Sequence, residues 1–452
     1  MIKIANEKCF DNSKKFICSY DENTVSSDIK VYANGKLCTL YTSSNCLFVN
    51  VIADDFTDIK VEYNKTIKDA KIKPSRFERK IDFSENTAYF TVKCGDYICV
   101  EFNDDLPLFV FADKKFDLFD YNNCDVIYFE DNKTYECDIN ITKSNTVVFI
   151  GENTVIKGKF RAINVDNIKI LGNGTIDGTK TEEYAIAFKS CKNIEINGIT
   201  ALGAKIWITM FLCCKNIHIE NFKALGDIMR SDGIDIVSSQ NVYIHHVFVR
   251  NEDDCICIKS GKINRCPFKV TTQKVKNVYV SDCTFFTGER GNSLEIGYEA
   301  MKDISDIKFK NIDIIHRKSA KHKFHRCVIS IHNAGTANIY NVLYENIFAE
   351  YSDENFIMLS HMVKSEWGHG EGSINNITFR NVHLVGGKNN PPSYISTLPI
   401  NMDNPNSSNT NKQAVDNIVF ENVLYKGEKI DCIDKAKACN FTISDDINIK
   451  FL

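Results

Sequence analysis

The chain has 452 residues, and its 55 Lys and Arg nearly balance its 59 Asp and Glu, which gives a formal net charge of −4. The basic residues are spread along the chain, which excludes the concentrated positive surface of a nucleic-acid-binding protein. No window approaches the ~18 uncharged apolar residues that a membrane-spanning helix needs, so we expect no membrane partner.

The N-terminal sequence "MIKIANEKCFDNSKKF" has neither the apolar core nor the small-residue cleavage site of a secretory signal. The 18 cysteines include no CxxC pair. In a chain that is not exported, such cysteines are expected to be buried free thiols. We therefore expect a cytoplasmic protein, or a secreted one if a signal has been removed.

Residues 1–118 alternate apolar and polar residues but contain no internal repeat. The segment "TAYFTVKCGDYICVEFN" at 87–103 is an example, and the apolar run "LPLFVFADKK" follows it. Such alternation is typical of half-buried strands. We predict a small β-sandwich domain over residues 1–118 and a second domain over residues 119–452.

A heptapeptide of the form Asn-(Ile/Val)-x-(apolar)-x-x-x recurs in the second domain. Its copies are "NIKILGN" at 167, "NIEINGI" at 193, "NIHIENF" at 216, "NVYIHHV" at 241, "NVYVSDC" at 277, "DIKFKNI" at 306, "NVLYENI" at 341, "NITFRNV" at 376 and "NIVFENV" at 417. The first four copies lie 23 to 26 residues apart, and the later intervals widen to between 29 and 41 residues. Single strands at such intervals, without helices between them, predict the coils of a parallel β-helix, stacked ~4.8 Å apart. The leading Asn suits a turn or a side-chain ladder between coils. A β-sandwich is the alternative, but the Asn-Gly and Asp-Gly pairs that favour hairpins are few.

Four aspartates lie in the mostly apolar stretch "RSDGIDIVSSQNVYIHHVFVRNEDDCICIKSG" at 230–261: Asp232, Asp235, Asp253 and Asp254. The 21 residues between Asp232 and Asp253 approach one coil, so stacking would bring the two pairs together. Clustered carboxylates raise one another's pKa, and a protonated acid beside ionised carboxylates suits glycosidic-bond hydrolysis.

Other interpretations of these aspartates are a solvated turn for "DGID", a surface loop for "DD", and a calcium site for the whole cluster. The stacking of both motifs between apolar strands favours catalysis. We therefore predict a catalytic cluster that uses no metal and no other cofactor.

The stretch "SDGIDIVSSQNVYIHH…NEDDCICIKSG" resembles glycoside hydrolase family 28, the polygalacturonase family, and the related dextranases and isopullulanases. The resemblance covers about residues 125–430. It implies an all-β, right-handed parallel β-helix of the pectin-lyase-like type, preceded by a β-sandwich, and an inverting hydrolase without a metal. It also implies that Asp253 is the general acid, that Asp232 and Asp254 activate water, and that Asp235 supports them.

The sequence departs from the family pattern at two places. In "GERGNSLEIGYE", Asn292 stands where the family has the histidine of Gly-His-Gly, and an amide cannot share a proton near neutral pH. Where the family has an Arg-x-Lys that binds the galacturonate carboxylate, "RCVISIHNAG" offers Ser330 and His332. Either the sugar at the cleavage site is neutral, or its acid group is bound by Arg290, Arg326 or His332.

Five further residues are candidates for substrate binding. Lys259 ends the strand "CICIK" and belongs either at the edge of the cleft or on the surface, with its ammonium in water. Glu295 and Glu299 in "SLEIGYE" are acids near the predicted cleft, although a surface-strand glutamate is an equal alternative for Glu295. Trp367 and His369 fall between two repeat copies, so a loop there could wall the cleft, with core packing as the alternative for Trp367.

We therefore expect an inverting glycoside hydrolase that cleaves α-linked oligosaccharides or polysaccharide fragments in a cleft along the β-helix, on a sugar other than plain homogalacturonan. Three alternatives remain: glycosyl transfer in the same cleft, a polysaccharide lyase, and a non-catalytic carbohydrate-binding β-helix. The sequence does not specify the oligomeric state.

Overall fold

The protein is described by a computed structural model for residues 2–4, 28–43, 46–103, 105, 107–117, 124–261, 268, 271–319, 325–388, 390–404 and 411–452. Almost all of this part is β-structure, with a short α-helix at Ile433–Ala438. None of its helices is long and apolar enough to cross a membrane.

The N-terminal domain is a β-sandwich of two sheets. The outer sheet contains, in spatial order, Lys36–Leu37, Ile29–Ala33, Phe56–Tyr63, Thr87–Lys93 and Asp82–Ser84. The inner sheet contains Tyr41–Ser43, Cys46–Ile52, Leu108–Asp113, Asp96–Phe102 and Ala70–Lys73, which is followed by a 3₁₀ turn at Ser75–Phe77.

The inner sheet is buried on both sides, which explains the apolar run at its centre. Every residue of Leu108–Asp113 is buried. Alternate side chains such as Val110 join the core between the two sheets. Phe109 and Phe111 point the other way and pack on Phe248 of the second domain, with ring centroids 5.1 and 5.0 Å apart. The sandwich is therefore docked through a continuous apolar contact.

Charged groups at this docking surface are paired. Lys223 of the second domain is fully buried, and its ammonium lies 2.6 Å from Asp113 Oδ2. Tyr97 donates its hydroxyl to Asp113 Oδ1 at 2.5 Å. Burial lowers the pKa of Lys223 although Asp113 opposes that shift. A buried charge without such a partner would be strongly destabilising, so this pair favours one docked arrangement.

The second domain is a right-handed parallel β-helix, as the repeat and the resemblance predicted. Its first face contains Asp125–Phe129, Thr146–Ile150, Asp166–Gly172, Lys192–Asn197, Lys215–Glu220 and Gln240–His245. Its second face contains Thr134–Glu136, Val155–Lys157, Thr175–Asp177, Thr200–Leu202, Lys223–Leu225 and Phe248–Asn251. In later coils each long, bent strand covers both faces: Val275–Thr287, Ile304–Arg317, Asn338–Tyr351, Ser373–Gly386 and Ala414–Tyr425.

The third face is a separate parallel sheet. It contains Ile139–Ile141, Phe160–Ile163, Ile186–Lys189, Thr209–Leu212, Ile234–Val237, Ile256–Lys259, Leu294–Tyr298, Cys327–Asn333, Asn355–Val363, Ser393–Ile395 and Phe441–Ile443, with Ile400–Asn401 paired beside Asn355–Val363. The hairpin strand Glu428–Ile430 and the strand Ile449–Phe451 complete the last coil.

The predicted domain boundary between residues 118 and 119 lies outside the described residues and stays a prediction. One strand of the predicted first domain belongs to the helix instead: Ile2–Ile4 pairs in parallel with Asp125–Phe129 and extends its first face. The chain therefore forms one strand of the helix before it enters the sandwich.

Asparagine amides connect the coils, as the leading Asn of each repeat suggested. Asn216 donates to Asn193 Oδ1 and Asn241 donates to Asn216 Oδ1, each at 2.9 Å. Asn216 has φ 58°, in the left-handed region that Asn tolerates better than most residues. The same ladder runs through Asn145, Asn167, Asn193, Asn216, Asn241 and Asn277. Asn therefore supplies both the left-handed backbone conformation and the amide hydrogen bonds that this turn requires.

Substitution of Asn216 separates its two roles. Both Asn216→Gly and Asn216→Ala remove the two amide hydrogen bonds, but glycine accepts a positive φ without strain. We expect Asn216→Ala to lower the free energy of unfolding by about 2–3 kcal/mol, and Asn216→Gly by about 1 kcal/mol less. Urea unfolding of the two variants and the wild type measures the difference. Equal stability of the two variants would contradict the conformational role.

Candidate active site

The aspartates lie at the start of successive strands of the third face. The residues at matching positions in these strands are Ile234, Ile256, Leu294 and Ile329. Gly233 donates its N–H to the Asp254 carbonyl at 2.8 Å, which extends this register into the preceding turn. Asp254 is thus aligned with Asp232. The expected stacking of Asp232 on Asp253 is off by one residue, because this coil is one residue longer than their spacing.

Alternation along these strands decides which side chains face outward. The aligned isoleucines and leucine fill the core of the helix. The next residue of each strand therefore points away from the core. The outward row at this position is Asp235, Cys257, Glu295 and Ser330. Lys259 and His332 lie outward two residues farther along their strands.

The structure brings the carboxylates together. Oxygens of Asp232 and Asp254 and the sulfur of Cys257 lie within 4.8 Å of one another. All three residues are buried, whereas Asp253 keeps part of its surface exposed. Asp253 Oδ2 accepts the backbone N–H of Arg230 at 3.0 Å. Asp253 therefore lies at the accessible margin of the cluster.

The same three residues are a poor set of calcium ligands. Calcium takes ~6–8 oxygen ligands, whereas this set offers two carboxylates and a sulfur. Burial raises the pKa of the Cys257 thiol well above its usual value, so the sulfur keeps its proton. The prediction that the site uses no metal remains a prediction.

Lys259 supplies a positive charge to the cluster. Its ammonium lies 3.4 Å from Asp232 Oδ2 and 3.1 Å from Asp235 Oδ1. It also lies 3.8 Å from the ring centre of Trp207. Lys259 is 5% exposed, which excludes the alternative of a surface lysine with its ammonium in water. Burial disfavours its charge, but the carboxylates, Asp235 foremost, outweigh burial and raise the pKa of Lys259.

Burial raises the pKa of all four aspartates, but by different amounts. The pKa of Asp253 is raised to about 6 by burial and then by the charge of Asp254. The pKa of Asp235 is raised to about 8 by burial, against the opposing effect of Lys259. Burial and the charge of Asp235 raise the pKa of Asp232 well above its usual value. At neutral pH the cluster therefore holds both protonated and ionised carboxyl groups.

Asn292 stabilises the ionised form of Asp254. Its backbone N–H and its Nδ2 donate to Asp254 Oδ1 at 2.7 and 3.0 Å. Its Oδ1 accepts the N–H of Cys327 at 2.7 Å. The two donated bonds oppose the effects of burial and of Glu295, which raise the pKa of Asp254. Asn292 thus contacts the cluster through fixed amide hydrogen bonds, and its contact with a substrate stays a prediction.

Glu295 is the centre of a second polar group beside the aspartates. It is fully buried, so the alternative of a surface-strand glutamate is wrong. Its Oε2 accepts the hydroxyl of Ser330 and lies 2.9 Å from His332 Nδ1. Burial raises the pKa of Glu295 well above its usual value and lowers the pKa of His332 to about 3. His332 is therefore neutral at physiological pH.

Aromatic residues form a wall next to this group. Tyr298 stacks on His332 with ring centroids 4.7 Å apart, and Trp367 packs on Tyr298 at 4.3 Å. Lys364 Nζ lies 3.6 Å from the ring centre of Trp367. The ring of Trp367 is thus already covered by two neighbours, which favours packing over sugar stacking. His369 is exposed, and no described contact joins it to the aspartates.

The remaining predicted residues lie around the cluster. Arg290 is exposed, and its guanidinium lies 2.8 Å from Met229 Sδ. Arg326 is largely buried and donates to the carbonyl of Glu289. Glu299 is largely buried just after the strand that carries Glu295. Sequence reasoning gave no role to Tyr298 or Trp207, because their contacts cross between coils and leave no signal in the local spacing.

The fold and the site together describe a parallel β-helix protein that carries a buried carboxylate cluster on its third face. Residues 125–367 match the family model for glycosyl hydrolases family 28, which covers more than half of the chain. The chain belongs to this family.

The relatives agree with this assignment. An exopolygalacturonase of Arabidopsis thaliana is 23% identical over 272 residues, which cover 53% of this chain and 59% of the relative. A probable rhamnogalacturonase C of Aspergillus flavus is 24% identical over 237 residues, which cover 50% of this chain and 46% of the relative. The chain thus spans about half the length of the curated relatives that it matches.

Among solved structures, Dex49A from Penicillium minioluteum aligns with a TM-score of 0.63 at 12% identity, over 94% of this chain and 93% of that one. At this identity the likeness establishes a shared fold and nothing about substrate.

Substitution of Asn292 tests its support of Asp254. Asn292→Asp keeps an acceptor for the Cys327 N–H but replaces the side-chain donor to Asp254 with a like charge. It should therefore raise the pKa of Asp254 further. A buried acid whose pKa is raised in the folded state costs nothing at a pH below the pKa of the unfolded chain, where it is protonated in both states. Its cost grows as pH rises from the unfolded pKa to the raised pKa and is complete above it. We expect Asn292→Asp to destabilise the protein more at pH 7.5 than at pH 4.5, as measured by urea unfolding.

Asn292→Ala is the matched control. It removes both side-chain bonds without adding a charge, so its loss of about 1–3 kcal/mol should depend less on pH. The same pH dependence in both variants would contradict the role assigned to the amide donor.

Proposed function

We propose that the protein is an inverting glycoside hydrolase that cleaves α-linked bonds in oligosaccharides or polysaccharide fragments. The observation that supports this most directly is the contrast among the aspartates. Asp253 is partly exposed with a pKa of about 6, whereas Asp232 and Asp254 form a buried pair next to it. Inverting hydrolysis needs a protonated acid and a separate base of this kind.

In the proposed reaction Asp253 donates its proton to the glycosidic oxygen as the bond from that oxygen to the anomeric carbon breaks. Asp254 accepts a proton from a water molecule that attacks the anomeric carbon from the opposite face. The two hydrogen bonds from Asn292 favour the ionised form that this step requires. Asp232 helps to orient the water.

Asp235 and Lys259 balance the charge of the cluster. The ammonium of Lys259 lies between Asp232 and Asp235, where it offsets the repulsion among the buried carboxylates. Positive charge fixed at this point also limits how far the pKa of Asp232 rises. We assign both residues a supporting role rather than a direct part in bond cleavage.

Asp253→Asn removes the proposed acid with little change in shape. We expect a loss of about 10²–10⁴-fold in kcat on every substrate that the wild type cleaves, because a fixed proton donor contributes on this order. Reducing-sugar release across a panel of carbohydrates measures the change. Asp445→Asn, at an exposed carboxylate near the C-terminus, is the matched control and should be fully active. Turnover by Asp253→Asn equal to that of the wild type would exclude the assigned role.

The pH dependence of kcat/KM follows from the same residue. A general acid acts in its protonated form, which is lost as pH rises through its pKa. With the pKa of Asp253 near 6, we expect kcat/KM to decline above about pH 6. Initial rates between pH 4 and 9 at substrate concentrations well below KM measure this limb. A profile that is flat from pH 5 to pH 8 would contradict the assignment.

A further inference from the structure

The outward positions at Ser330 and His332 on the third face carry neutral groups. Ser330 donates its hydroxyl to Glu295, and His332 is bound to the same carboxyl group through Nδ1. His332 is fully buried, and burial lowers its pKa to about 3. Neither residue therefore offers a positive charge to a ligand.

The ammonium of Lys259, which lies beside the aspartates, is already ion-paired. Lys259 lies within ion-pairing distance of both Asp232 and Asp235, and its charge rests against the ring of Trp207. A substrate carboxylate that bound Lys259 would have to displace one of these carboxylates. Lys259 is also largely buried, so an incoming carboxylate would have to lose its hydration to reach the ammonium, which is unfavourable.

The guanidinium groups of Arg290 and Arg326 lie on the margin of the third face where its strands begin. Arg290 and Arg326 precede the strands Leu294–Tyr298 and Cys327–Asn333, whereas Glu295 and His332 lie within those strands. The rows at Glu295 and His332 are thus separated from the arginines by the row that carries Asp232 and Asp254. An acid group bound beside Glu295 and His332 would therefore have neither guanidinium in its own row.

Oε1 of Glu295 and Nε2 of His332 are buried beside the aspartates and have no hydrogen-bond partner among the described residues. The oxygens of Asp235 also lack one, although Oδ1 lies 3.1 Å from the Lys259 ammonium. Buried polar atoms usually have hydrogen-bond partners, and exceptions need an explanation. A sugar hydroxyl can both donate and accept, so it can satisfy either atom. A carboxylate can accept a hydrogen bond from protonated Glu295 but cannot donate one to His332 Nε2, and ionised Asp254 would repel it.

From these contacts we infer that the sugar unit whose glycosidic bond is broken is uncharged: a neutral pyranose bound through its hydroxyl groups rather than a uronic acid. This inference rests on the proposed function. Glu295 and His332 determine the specificity, because their unpartnered polar atoms match hydroxyls and neither residue supplies a positive charge.

The test compares trisaccharides that differ in charge. α-1,4-Trigalacturonate and its carboxyl-reduced form, α-1,4-galactotriose, share linkage and stereochemistry and differ only in the carboxylate. Glucotrioses with α-1,3, α-1,4 and α-1,6 linkages extend the neutral set. We expect cleavage of at least one neutral trisaccharide, with kcat/KM on trigalacturonate lower by a factor on the order of 100 because of like-charge repulsion. Cleavage of the neutral sugar should be lost in Asp253→Asn.

The outcomes separate the two proposals. Cleavage of trigalacturonate as fast as any neutral sugar, with loss of activity in Asp253→Asn, would overturn the inference and leave the proposed function standing. Cleavage that persists in Asp253→Asn would overturn the proposed mechanism. Absence of cleavage across the whole set would count against the proposed function, and the inference that rests on it would fall as well.

Discussion

Parallel stacking in register is the constraint on which the rest of the molecule depends. Each coil places its strands directly beside those of the previous coil, and the Asn amide ladder fixes that alignment at one turn of the successive coils from Asn145 to Asn277. The amides satisfy one another, and their left-handed backbone turns the chain between faces. Because the register is fixed, residues more than twenty positions apart become neighbours, and Asp232 meets Asp254.

Electrostatic interactions then give the four aspartates of the cluster different pKa values. Burial alone would make each carboxylate weakly acidic, but the partners differ from one position to the next. Asp254 receives two hydrogen bonds from Asn292, Asp235 faces the ammonium of Lys259, and Asp253 keeps contact with solvent. The four aspartates thus differ in proton affinity because each has different neighbours, and the stacking of the coils determines those neighbours.

The repeat was sufficient to predict the β-helix, and the apolar–polar alternation in residues 1–118 was sufficient to predict the sandwich, because strand periodicity is a local property. The sequence did not show that Asp232 pairs with Asp254 rather than Asp253, because a one-residue difference in coil length is invisible before pairing. Nor did it decide the burial of Lys259 and Glu295. Their environment is formed by neighbouring coils and by side chains such as Trp207, whose positions depend on tertiary packing.

The short strand Ile2–Ile4 has a consequence for how the β-helix ends. A stack of parallel strands has an open edge at its first coil, and unpaired backbone groups at such an edge recruit strands from other molecules. Here the chain covers that edge with its own early residues before it builds the sandwich. The sandwich is therefore inserted within the helix in topological terms, and the edge strand of the first face is the three-residue Ile2–Ile4, whose shortness leaves few backbone groups free to recruit another strand.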